Sequence, residues 1–289
     1  MTEAQVNFRS LEKTTKFGYL FYISYRGTKF HSFDENKDEN STKKTVKGEF
    51  IKILGELGIT WAKGVQQGGR TDGQVSAKEN ILYINSNNKI DKALLKDKFN
   101  KKINEMKIVK IEKTLPNLAL PEMIEGRIYR YNYPTDKISS TEEEILKRCN
   151  ELTGTYDVSE FTDRKGQKLK EKIRTVEISY DNESLVFSGN SFMPKQVRIM
   201  SGYILTGEKK IMSGKYLTLE KMILSKELEE IIIEKVHDIS EENVLKIEKI
   251  KDIYIFYVAK NKKGEVIGKN ATNIKNLRKK YGKIIIKTI

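Results

Sequence analysis

Between Phe17 and Tyr25 the chain reads Phe-Gly-Tyr-Leu-Phe-Tyr-Ile-Ser-Tyr, uncharged and rich in aromatic and β-branched side chains, which predicts a strand. From Thr45 the period lengthens to three or four. Val46, Phe50, Ile53 and Leu54 then share one face of a predicted helix ending near Gly58. Ile81-Leu82-Tyr83-Ile84 predicts a buried strand, Asp91 to Asn104 a second helix, and Met106 to Ile111 a further strand. The segment from Thr114 to Glu125 holds two of the four prolines and reads as a connector. The rhythm then repeats. Arg127 to Tyr133 alternates as a strand with Tyr129, Tyr131 and Tyr133 on one face, and a helix follows over about Thr141 to Leu152. Ser140 or Thr141 caps that helix, and Glu143 and Glu144 favour its N-terminus. Strands over Arg174 to Tyr180 and Ser184 to Gly189 predict a hairpin around Asp181-Asn182, and Ser191 to Gly202 reads as a loop entering a helix. Two α+β halves whose sheets pack side by side would leave a cleft between them.

The remaining stretches are more polar. Residues 1–16 read as a loose terminus and Asp34 to Lys44 as a mobile charged loop. Leu219 to about Val236 reads as a helix with acidic decoration, and Ser240-Glu-Glu-Asn-Val as the start of another. Ile253 to Val258 and Lys283 to Ile289 predict strands.

Charge narrows the choice of partners. There are 54 Lys+Arg against 40 Asp+Glu, a net charge of +14, which points to a polyanion such as nucleic acid. The excess is uneven. Residues 250–289 hold 11 basic and 2 acidic residues, a net of +9, whereas residues 220–249 hold 9 acidic and 5 basic, a net of −4. Cys149 is the single cysteine, so no internal disulfide forms, as expected in a reducing compartment. With His31 and His237 as the two histidines, no zinc-ligand spacing arises, and no metal is expected. No apolar run has transmembrane length, and a soluble, cytoplasmic protein is expected.

The chemistry is expected at Gly68-Gly69-Arg70-Thr71-Asp72-Gly73-Gln74-Val75-Ser76-Ala77. Glycines allow close approach of backbone to a ligand, and an arginine two residues before an aspartate favours its ionised form. Taken alone, the stretch fits either a charged surface turn or a carboxylate nucleophile on a rigid loop. By pattern alone Tyr129 fits core packing and Arg198 a helix surface equally well.

Five blocks together resemble the tRNA pseudouridine synthase A family. They are Tyr25-Arg26-Gly27-Thr28-Lys29-Phe30-His31, Thr45-Val-Lys-Gly-Glu49, Gly69-Arg70-Thr71-Asp72, Tyr129-Arg-Tyr131 and Phe192-x4-Val197-Arg198-x3-Gly202, in the family's order and spacing over roughly residues 17–210. The resemblance implies isomerisation of uridine to pseudouridine in tRNA, in the anticodon arm, without cofactor or metal. It implies that Asp72 is the catalytic aspartate, that Tyr129 stacks on the target base, and that Arg198 is the basic partner of Asp72. Arg70 matches the arginine that helps hold the displaced base and backbone. Arg26, Lys29, His31 and Lys195 are expected to contact RNA. Family members are homodimers, so a dimer is implied. Each role has independent physical sense. A carboxylate can act on a glycosidic bond, a desolvated carboxylate needs a cation, and an unstacked base needs an aromatic surface. The chain departs from the family in several places. Gly73-Gln74-Val75-Ser76-Ala77 replaces Ala-Gly-Val-His-Ala, Arg26 replaces an aspartate, Pro194 and Lys195 replace paired histidines, and Ile199 replaces an asparagine. These changes bear on the RNA target more than on the chemistry.

Near the C-terminus, Val266-Ile267-Gly268-Lys269-Asn270-Ala271-Thr272-Asn273-Ile274 resembles the glycine loop of KH RNA-binding domains, with Ala271 where the last glycine would stand. Lys269, Lys275, Arg278 and Lys279 would meet phosphates. The expected organisation is α+β: two ferredoxin-like halves (1–113, carrying the catalytic loop, and 114–218) forming a joined antiparallel sheet with a central cleft. An acidic helical connector (219–249) and a KH-like module (250–289) follow. The expected function is an RNA pseudouridine synthase. The alternative is a catalytically silent RNA binder or tRNA chaperone on the same fold.

Overall fold

The computed structural model describes residues 16–35, 43–163, 171–181 and 183–289. Most of the loop expected over Asp34 to Lys44, nearly all of the expected loose terminus, and Asn182 of the hairpin turn lie outside the described residues.

The first half runs β1 (Phe17–Tyr25), α1 (Val46–Glu56), β2 (Trp61–Gln67), β3 (Ser76–Ser86), α2 (Lys92–Lys102) and β4 (Met106–Thr114). Thr45 caps α1 by accepting from the Gly48 N–H, and Asp91 caps α2 by accepting from Leu94. Its sheet has the order β4-β1-β3-β2, all antiparallel. β2 has no counterpart in the hydrophobic pattern. Trp-Ala-Lys-Gly-Val-Gln-Gln buries only Val65, and its pairing with β3 is interrupted between Ala62 and Gln66, where Lys63 has φ 61°.

The second half runs β5 (Ile124–Asn132), α3 (Glu142–Glu151), β6 (Gly154–Asp157), β7 (Ile173–Tyr180), β8 (Ser184–Gly189), α4 (Gln196–Thr206) and β9 (Leu217–Leu224). Thr141 and Glu144 form a reciprocal capping box on α3. The order β9-β5-β8-β7-β6 repeats that of the first half with β6 added at the edge. The two sheets meet through a short parallel pairing of Ser76 with Thr218 and Ala77 with Leu219, giving one nine-stranded mixed sheet. β3 therefore pairs with β2 near one end and with β9 at the other, and the loop between β2 and β3 is held at the seam.

Between residues 219 and 249 the expected helices give way largely to strands, while the strands expected at Ile253–Val258 and from Lys283 are present. The acidic helical connector over 219–249 is instead β9, a five-residue helix α5 (Lys226–Glu230), β10 (Glu234–Val236) and β11 (Val244–Ile250). Leu217, Leu219, Met222, Ile247 and Ile250 are buried along these strands, whereas Lys221, Glu234 and Lys235 are exposed; β11 departs from the alternation, with Leu245 exposed and Glu248 buried. A charge count does not distinguish that alternation from a solvated helix. Then come β12 (Ile253–Val258), α6 (Lys263–Ile267), α7 (Thr272–Tyr281) and β13 (Lys283–Thr288). The second sheet is β10-β11-β12-β13, with β12 and β13 parallel. Its elements start before residue 250, because β11 and β12 form one hairpin.

This second sheet packs on both sides. Ile247, Phe256, Ile274 and Ile284 make a small core with α7, whereas Ile250, Ile253, Ile255, Tyr257 and Ile285 belong to the main core. A polar link crosses the joint. Lys113 Nζ lies 2.5 Å from Glu248 Oε2, and the Tyr257 hydroxyl donates to the same oxygen at 2.6 Å. Lys246 binds the other oxygen.

Candidate functional site

The loop from Gly68 to Val75 is fixed from below by buried polar groups. The fully buried Asn80 amide donates to the Gly69 carbonyl at 3.0 Å and to the Tyr25 hydroxyl at 3.2 Å, and that hydroxyl lies 2.9 Å from the Thr71 hydroxyl. The Gly68 N–H donates to the Ile81 carbonyl at 2.8 Å, and Val75 N–H closes a turn onto the Asp72 carbonyl at 3.2 Å. Two glycines are required by space. A Cβ on Gly27 would come within 2.1 Å of the Val75 carbonyl oxygen, and one on Gly73 within 2.7 Å of the His31 carbonyl oxygen.

Asp72 projects from this loop toward the second half. Arg198, in the first turn of α4, donates from Nη1 to Asp72 Oδ2 at 3.3 Å, and its Nε donates to the Met212 carbonyl at 2.6 Å. Both side chains are largely withdrawn from solvent, at 16% and 27% exposure, so the pair is worth more than a surface ion pair. Tyr129 on β5 is 7% exposed, and its ring packs edge-on against Phe192 at 5.4 Å between centroids. Burial, then the neighbouring Tyr25 and Asp72, push the Tyr129 hydroxyl well above the usual phenol range, so it stays protonated. These three residues line one cavity of about 530 Å³ at the seam.

Two further expected residues line the same cavity. Arg70 is exposed and pairs with Asp34 at 3.4 Å. Lys195, which caps α4 in a left-handed conformation with φ 61°, pairs with Asp163. A non-glycine residue in that region is a local strain of the kind found at binding sites. Arg26, Lys29 and His31 are exposed just beyond β1 and are not among the cavity's lining residues. Lys269, Lys275, Arg278 and Lys279 are exposed on the second sheet's helical face, away from this cavity. There Gly268, Asn270 and Ala271 take positive φ values of 75°, 53° and 59° between α6 and α7.

The hydrophobic pattern assigns Arg127 no role, yet it lines the cavity. Its Nη1 donates to the Asn190 carbonyl and its Nη2 to the Gly68 carbonyl, both at 2.7 Å, tying the two lips together. Burial pushes this guanidinium below its ordinary range. The available signal was spacing, since residues two apart on a strand share a face and Arg127 precedes Tyr129 by two. Asn80, polar at the head of the apolar Ile81 run, was a second signal. Among the described residues no group of three or more His, Cys, Asp and Glu side chains is placed to hold a metal, and no helix is long and apolar enough to cross a membrane.

Fold and site together define a class: a mixed α/β protein of two repeated halves, with a carboxylate–guanidinium pair and an aromatic wall in the seam between them. Known proteins make the class more particular. Curated relatives named tRNA pseudouridine synthase A match this chain. The one from Picrophilus torridus is 28% identical over 193 residues, covering 66% of this chain and 71% of that protein. Those from Streptococcus suis and Malacoplasma penetrans are 28% and 26% identical, each covering 65% of this chain and 82% and 83% of theirs. No family model matches. Among solved structures, a Cbf5-Nop10-Gar1 complex aligns with 70% of this chain and about half (49%) of that one, at 13% identity and a TM-score of 0.35.

Proposed function

We propose that this protein is an RNA pseudouridine synthase that isomerises uridine to pseudouridine, with tRNA as its substrate. The observation that carries this reading is the 3.3 Å pairing of Asp72 and Arg198, contributed by opposite halves of the sheet, beside Tyr129 in one cavity. The similarity to proteins named tRNA pseudouridine synthase A supports it. Each half is taken as a ferredoxin-like unit, the repeated strand order being the supporting feature.

The reaction breaks the C1′–N1 bond of uridine, turns the base, joins C1′ to C5, and moves one proton from C5 to N1. Nothing is oxidised or reduced, and no group is gained. A carboxylate, an orienting cation and a dry aromatic pocket are therefore sufficient chemistry. Asp72 supplies the carboxylate that attacks or stabilises the reacting nucleoside, and Arg198 holds it ionised and oriented. Tyr129 receives the extruded base. Arg70 and Lys195, at the cavity rim, meet the backbone of the flipped nucleotide, with Arg26, Lys29 and His31 extending the contact along the RNA. The second sheet and its helices act as a KH-like module, with Lys269, Lys275, Arg278 and Lys279 on phosphates. A homodimer working in the cytoplasm, with the anticodon arm as target, completes the reading.

The test is pseudouridine formation on bulk tRNA by the purified protein. We expect turnover by the native chain and at least about a 1000-fold loss in Asp72→Asn, with RNA affinity largely kept. RNA binding without conversion by the native chain would replace this reading with that of a non-catalytic RNA holder.

A further inference from the structure

Among the described residues two aromatic rings line the Asp72 cavity, Tyr129 and Phe192. They differ in what they leave open. Tyr129 is nearly all spent on packing, whereas Phe192 is only partly buried. Their planes stand at 88°, so the two rings make a right-angled corner rather than a stack. The fold sets Phe192 in that corner. Arg127 pairs across the strands with Gly189, and Tyr129 with Phe187, so these four positions share one face of the sheet. Gly189 brings no side chain to that face, and the Phe192 ring lies in the space left: a Cβ on Gly189 would come within 2.9 Å of Phe192 Cζ. The backbone is tied on either side. Before the ring, Arg127 holds the Asn190 carbonyl, and the Asn190 side chain accepts from the Ser191 N–H at 2.8 Å. After it, the fully buried Gln196 side chain accepts from the Met193 N–H at 2.8 Å, and the Thr162 hydroxyl donates to the Pro194 carbonyl at 3.1 Å.

We infer that Phe192 touches the reacting base and forms the second wall of the uracil pocket; this rests on the RNA-modifying reading above. A partly open ring on a fixed backbone offers a face or an edge to any base that enters. A flat base can lie parallel to one ring of the corner but not to both. Stacked on one, it meets the other with its edge. The reaction needs this restraint. Once the C1′–N1 bond breaks, the uracil must turn to present C5 to C1′. A single aromatic platform fixes the plane of the base and leaves it free to slide. A second ring at right angles stops the slide, so the turned base stays within bonding reach of C1′. Affinity for the RNA as a whole depends little on this ring, because a bound RNA that keeps its uridine stacked still holds its phosphate contacts.

The experiment compares the full native chain with Phe192→Leu and Phe192→His in tRNA affinity, in single-turnover rate at saturating tRNA and in thermal unfolding. Leucine keeps apolar volume without a flat face, and histidine keeps an aromatic ring short enough to clear Gly189. We expect all three chains to bind tRNA within about threefold of one another. Phe192→Leu should lose on the order of 10- to 100-fold in saturated rate, and Phe192→His should recover most of it. Mere filling of the space above Gly189 predicts the reverse order, since leucine is the better apolar filler. A native saturated rate in Phe192→Leu, or no recovery in Phe192→His, would overturn the inference. A photochemical arm does not depend on turnover. Irradiated on the native chain, tRNA transcribed with 5-bromouridine should cross-link to the peptide that carries Phe192, and Phe192→Leu should lose that cross-link. Its absence from the native chain would also overturn the inference. Failure of the enzymatic reading looks different: the native chain makes no pseudouridine, while the cross-link at Phe192 and its loss in Phe192→Leu remain.

Discussion

Arg127 offers the sharpest test of how the cavity is held. Its two hydrogen bonds, both 2.7 Å, run to the carbonyls of Gly68 on the catalytic loop and Asn190 beyond β8. A hydrogen bond from a charged donor contributes about 1.5–3 kcal/mol, so the pair contributes about 3–6 kcal/mol before the desolvation of the guanidinium is subtracted. Burial does disfavour that charge, and a net of about 2–3 kcal/mol remains reasonable. Arg127→Met removes both bonds and leaves two carbonyls without a donor. Arg127→Lys keeps the charge, but a single ammonium lacks the planar fork that spans both. Displacing Asp72 by about 1 Å costs on the order of 100-fold in rate. Single-turnover conversion of saturating tRNA is the assay, with thermal unfolding alongside. Arg127→Met should lose roughly 100-fold in rate and about 5 °C or more in Tm. Arg127→Lys should recover most of the Tm and little of the rate. If Arg127→Met converted bound tRNA at the native rate, the strut argument would be refuted. If Arg127→Lys were indistinguishable from native, charge alone would matter and the fork would not.

Other consequences follow from the joint and from the C-terminal loop. Burial alone would raise the Glu248 carboxyl, but the Lys113 ammonium, with the hydrogen bonds from Lys113, Lys246 and Tyr257, outweighs it and holds the group at about 2 instead of 4.5. A depressed carboxyl stabilises the fold above its unfolded value and loses that contribution as pH falls from about 4.5 toward 2. Glu248→Gln should therefore cost up to about 3 kcal/mol at pH 7, with the difference from native shrinking below pH 4.5 in urea titrations. Burial also disfavours the Lys113 ammonium, which keeps the measured cost under that ceiling. Truncation before Ile250 should lower Tm sharply, not merely weaken RNA binding, because Ile250, Ile253, Ile255, Tyr257 and Ile285 are part of the main core. A truncated chain with native Tm would contradict this packing. Ala271→Gly should stabilise by about 0.5–1 kcal/mol and tighten RNA binding, since Ala271 holds φ 59° at a Cβ cost that glycine avoids. Equal or weaker binding by that variant would count against a backbone clamp at this loop.

Neighbouring residues are enough to encode the local pieces whose signal is periodic. The aromatic β1, the apolar face of α1, the capping box of α3 and the β7–β8 hairpin were each legible in a short run of sequence. The family blocks also marked Asp72, Tyr129 and Arg198, and the structure brings those three into one cavity. Whatever depends on distant partners came only with the assembled fold. β2 is a strand because β3 offers it an edge, not because Trp-Ala-Lys-Gly-Val-Gln-Gln alternates. β9 and β11 fall in a stretch whose surplus of acidic residues suggested a solvated helix, yet β9 sits between β3 and β5, and Glu248 is buried because Lys113 comes from 135 residues away. Arg127 was marked by no more than its spacing from Tyr129, for its role depends on two carbonyl groups that only the folded seam brings within reach. Periodicity reports which face of a segment is apolar; it holds no information on which polar groups will meet across the gap between two sheets.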